Sequence, residues 1–74
     1  MEYRSLSSSS IAEVGYHREA AVLVVRFHNG AEYRYFSVPE SVFQGLLAAP
    51  SAGGYFHEHV RRAPFRYEQT RGSL

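Results

Sequence analysis

The chain of 74 residues contains no cysteine, no lysine and no aspartate. Without cysteine there is no disulfide staple, no thiol nucleophile and no thiolate-held metal. Long hydrophobic runs are missing too. The longest apolar stretch, Ala20 to Val25, is far too short to cross a bilayer, and no basic segment leads into an apolar leader. These absences point to a soluble cytoplasmic protein with no membrane partner. Charge is scarce in net terms, at +1, so overall electrostatics alone do not argue for nucleic acid.

What is present supports one small folded unit. A chain this short buries only about 60% of its unfolded surface, which excludes a second core. Hydrophobic residues nevertheless make up 45%, including six Tyr and five Phe, and each aromatic side chain removes roughly 150–250 Å² from water. Every basic residue is Arg and every acidic residue Glu, unevenly distributed. Residues 1–60 hold four Arg and six Glu, whereas residues 61–74 hold four Arg and one Glu. Basic character therefore gathers at Arg61, Arg62, Arg66 and Arg71.

The serine-rich residues 1–10 read as an irregular or extended arm. Ile11 to Tyr16 reads as a first strand and Ala21 to Phe27 as the clearest one, its valines and leucine suiting a pleated surface. Asn29-Gly30 reverses the chain into Ala31 to Phe36. A two-residue loop would set Val25 against Arg34. A three-residue loop, His28-Asn29-Gly30, instead aligns Val25 with Tyr33, Leu23 with Tyr35 and Arg26 with Glu32, giving coherent cross-strand partners. In that register Leu23, Val25, Phe27, Tyr33 and Tyr35 form the packing face. Val22, Val24, Arg26, Glu32, Arg34 and Phe36 form a mixed reverse face, partly exposed and available to a partner.

Val38-Pro39-Glu40 opens a helix with apolar positions Val42, Phe43, Leu46 and Leu47, stopped by Pro50. Ser51 caps a second, shorter helix carrying Tyr55, Phe56, His59 and Val60 before Pro64. Phe65 and Tyr67 return a final extended segment to the body. The expected fold is α+β: a three-stranded antiparallel sheet or meander followed by two short helices on one face. Residues 11–68 form the domain and residues 69–74 a flexible tail.

The ordered set Ser8-Ser9, Ile11, Gly15-Tyr16, Phe27, Gly30, Tyr33-Arg34-Tyr35, Val38-Pro39, Leu46-Leu47, Ser51 and Gly53-Gly54-Tyr55-Phe56 resembles the KTSC domain. That family occurs after certain lysyl-tRNA synthetases and as stand-alone bacterial proteins. The likeness spans roughly residues 5–68 and implies RNA binding through domain association. It implies no aminoacylation, because no synthetase catalytic region is present. Ser10 and His57 stand where the family often has Asn, and His17 where it is often acidic, so contacts made by those Asn do not transfer.

Chemistry is poorly served. His57 and His59 lie two apart, pointing about 200° apart on a helix, unlike metal ligands four apart. The glutamates show no paired-carboxylate spacing, the serines have no adjacent base, and Gly53-Gly54 lacks the length and Lys of a phosphate loop. No catalytic, cofactor or metal site is expected. Binding is better supported: Tyr33, Tyr35 and Arg34 can stack on bases and hold phosphate. The second helix, returning beside the hairpin, would join Arg34 to Arg61, Arg62 or Arg66 as an RNA-facing patch. The competing reading is a protein-interaction or structural module. It would self-associate through the sheet edge, or through the face bearing Val22, Val24, Arg26, Glu32 and Phe36.

Overall fold

A computed structural model describes residues 2–71, the side chain of Glu2 excepted. Its central hairpin follows from Gly30, whose φ of +93° lies where a Cβ is strained. The Phe27 N–H donates to the Ala31 carbonyl at 2.9 Å and the Gly30 N–H to the Phe27 carbonyl at 3.0 Å, closing the three-residue reversal. Strands β3 (Val22–Phe27) and β4 (Glu32–Tyr35) pair Leu23 with Tyr35, Val25 with Tyr33 and Arg26 with Glu32, the register expected from side-chain coherence.

The sheet has five strands, not three. β1 (Glu2–Ser5) lies in the segment expected to be an irregular or extended arm and pairs antiparallel with β2 (Ile11–His17). β5 (Tyr67–Arg71) pairs antiparallel with β4 and takes in residues 69–71, assigned from sequence to a tail; residues 72–74 lie outside the described residues. The order is a meander, β1-β2-β3-β4-β5, so the two strands beyond the expected three are edges. An edge strand with the sequence Tyr-Glu-Gln-Thr-Arg, exposed throughout, carries no apolar alternation to reveal it.

Both helices lie between β4 and β5. α1 (Glu40–Ala48) starts after Pro39, and the Arg18 guanidinium ties Glu40 to the β2–β3 turn at 2.6 Å. α2 (Ala52–Phe56) is capped by the Ser51 hydroxyl, which accepts from the Gly54 N–H, and runs on as a π-helical turn, His57–Arg61. Phe43, Leu46, Phe56 and Val60 press on Ile11, Val14, Tyr16, Leu23, Val25 and Tyr35 to make the core. Tyr16 stacks on Phe43 at 5.4 Å and donates its hydroxyl to the Val38 carbonyl at 2.6 Å, satisfying a polar tip inside that core. Among the described residues no helix is long and apolar enough to cross a membrane.

Candidate nucleic-acid interface

Beyond the sealed core, the packing face continues into an open aromatic recess of about 200 Å³. Tyr33 and Tyr35 of β4 form its floor with Tyr67 of β5, which the Tyr35–Tyr67 pairing places beside them. The Tyr67 ring lies 6.0 Å from Tyr33 and 5.5 Å from Tyr35. Phe27 and Phe56 contribute edges, 5.6 Å apart and tilted by 75°. Val60, Arg61, Ala63 and Phe65 complete the lining. Tyr35 is buried, Tyr33 half-buried and Tyr67 58% exposed, so the recess grades from core to solvent.

Its chemistry selects among ligands. Pockets for drug-sized molecules occupy roughly 300–1,000 Å³, so this recess is small for such a ligand, and its aromatic walls suit stacking with a planar ring. An aromatic cage also suits a quaternary ammonium, but Arg61 in the lining repels a cation and favours a ring attached to an anion. Burial pushes the Tyr35 hydroxyl up to about 12, with Arg61 pulling the other way, so Tyr35 stays neutral at physiological pH.

The four arginines expected to form one patch are divided. Arg61 lines the recess. Arg62, the residue that follows the π-helical turn, lies 3.5 Å from Glu58 and is largely exposed. Arg34 points to the opposite side of the sheet from Tyr33 and Tyr35, opposite Val24 on one flank and Glu68 on the other, and makes no ion pair among the described residues. Arg66 lies over the Phe36 ring at 5.0 Å, held there as the Phe36 N–H donates to the Arg66 carbonyl. The returning helix packs on the aromatic face, so strand alternation keeps Arg34 away from Arg61.

The reverse face is partly exposed. Val24 is 1% and Glu32 8% exposed, whereas Val22 and Phe36 are half-buried. Arg26 bridges Glu13 at 2.5 Å and Glu32 at 2.7 Å and lies 4.1 Å over the Tyr3 ring. Glu32 also accepts from the Thr70 hydroxyl at 2.7 Å. These charges are spent on holding five strands together. The histidines have structural neighbours: His59 packs on Tyr55 at 4.2 Å, and His28 Nε2 lies 2.9 Å from the Ser8 carbonyl. Sequence reasoning missed Tyr67 as a recess wall. Its return toward the body was legible, but its face depends on pairing with β4.

Comparison with known proteins bears on this geometry. A family model described as KTSC domain matches residues 7–68. An uncharacterized protein of Stutzerimonas stutzeri is 42% identical over 67 residues, covering 90% of this chain and 94% of the relative. A lysine–tRNA ligase of Trichormus variabilis is 41% identical over 61 residues; the match covers 82% of this chain but 11% of the ligase. The crystal structure of a KTSC domain protein from Yersinia pestis superposes with a TM-score of 0.82 at 29% identity, covering 92% of this chain and 94% of that one.

Proposed function

The chain belongs to the KTSC domain family, and from that premise we propose that it is a non-catalytic module that binds single-stranded RNA at the aromatic recess. The observation carrying this reading is the graded Tyr35–Tyr33–Tyr67 surface with Arg61 beside it. Unpaired bases stack on such rings, each stack contributing about 1–3 kcal/mol, while a guanidinium holds phosphate. Matching segments within proteins named lysine–tRNA ligases support an RNA partner. Glu13, Glu32, Glu40 and Glu58 are all engaged in ion pairs, which supports a binding role over acid–base chemistry.

Residue-resolved NMR titration with short single-stranded RNA, a tRNA-like RNA and matched DNA, at two salt concentrations, tests the proposal. Saturable shifts at Tyr33, Arg61 and Tyr67 are expected, strongest for the unpaired RNA. Shifts that are absent at high concentrations of both components would sink it. A second reading, self-association, is favoured by one feature: β5 is a sheet edge with all five residues exposed. A salt-resistant, concentration-dependent dimer in mass measurements would support that reading.

A further inference from the structure

We propose that a bound RNA strand does not stop at the recess but turns around the β5 edge, so that its next phosphates reach Arg66 and Arg34 on the reverse face. This inference rests on the single-strand reading of the recess. Its basis is the junction at Arg66 and Tyr67. Tyr35 opposes Tyr67, and the Phe36 N–H bonds the Arg66 carbonyl. Consecutive residues of an extended chain point to opposite faces, so Tyr67 faces the recess while the neighbouring Arg66 guanidinium lies on the far side, over Phe36. One step along the backbone thus links an aromatic wall to a cation.

Three further observations favour this path. β5 is an edge strand of the sheet and is exposed from Tyr67 to Arg71. Arg66 is exposed and makes no ion pair among the described residues, but its guanidinium is pre-set against the Phe36 ring, which lowers the entropy lost on contacting phosphate. Arg34 adds a second exposed guanidinium on that face; Glu68 opposite it in the ladder forms no ion pair with it. Contacting both faces of the sheet needs more than one nucleotide, so the ligand is a single strand of about four or more, within the range of single-strand site sizes, and not a mononucleotide.

Affinities of the native-length protein for a diadenylate and for an oligoadenylate of about eight residues separate the two contacts. Arg66→Gln is expected to lower octamer affinity about 3- to 10-fold at low salt and to reduce its log–log salt slope by about 0.7, the single-strand value for one phosphate contact, while leaving diadenylate affinity unchanged. Arg61→Gln lowers affinity for both probes. Amide spectra establish that each variant is folded. An Arg66→Gln variant that binds the octamer with unchanged affinity and slope, while the octamer still fills the recess, overturns the turn around β5 and leaves the recess reading intact. An equal loss for both probes also overturns it. Failure of the wild-type protein to bind either probe overturns the recess reading, and this inference with it.

Discussion

Glu32 is the residue whose surroundings most exceed what its sequence neighbours convey. Its carboxylate accepts from Arg26 Nε and from the Thr70 hydroxyl, both at 2.7 Å, and so joins β3, β4 and β5. The hydrogen bond from Arg26, then that from Thr70, hold its carboxyl below the usual carboxylate value against the cost of burial. Glu32→Gln is therefore expected to cost about 1–3 kcal/mol at neutral pH, by loss of a charge-assisted bond in a partly buried site. The sign with pH is fixed: because the folded value is depressed, the contribution is present above the unfolded carboxylate value of about 4.3 and is lost as pH falls through the folded value. Urea midpoints of wild type and Glu32→Gln should converge on acidification. At Tyr16 a hydroxyl alone is at stake: Tyr16→Phe leaves the Val38 carbonyl without its 2.6 Å donor and is expected to cost about 1–2 kcal/mol in the same assay. The Arg26–Glu32 pair was legible from hairpin register. Glu13 and Thr70 were not, since they arrive on strands β2 and β5.

At the level of elements, Gly45 shows packing overruling propensity. Alanine within a helix is favoured over glycine by about 1 kcal/mol, yet a Cβ at Gly45 would overlap the Tyr55 ring, which lies against α1 there. Gly45→Ala is expected to destabilise by about 0–2 kcal/mol net, since overpacking costs roughly 1–3 kcal/mol and the propensity gain offsets about 1 of it. In a Tyr55→Ala background the same change should become neutral or stabilising; a thermal melt of the four proteins in that cycle measures the coupling. The two helices were legible from Pro39, Pro50, Ser51 and their apolar spacing. The π-helical turn was not: nothing in His57–Arg61 distinguishes it from α-helix, and this turn carries Arg61 into the recess lining.

For the whole molecule, arginine placement matters more than the net charge of +1. Three guanidiniums, Arg61, Arg66 and Arg34, lie along the proposed path. Binding of a single strand should weaken with salt at a log–log slope near −2, from about −0.7 per phosphate. Tyr67→Ala should cost about 1–3 kcal/mol of affinity with little change in that slope, because stacking releases no counterion. Fluorescence anisotropy over a salt series separates the two contributions.

The sequence by itself determined the hairpin, its register, the two-faced division of its side chains and the family, since these depend on neighbours in the chain and on the residues that turns and pleats require. The tertiary structure alone decided the sheet's width, the division of the arginines between two faces, and the recess. β1 and β5 are recruited through backbone hydrogen bonding, which leaves little hydrophobic signature in an edge strand. Tyr33, Tyr67 and Arg61 meet only because β5 closes against β4 after both helices have crossed the packing face.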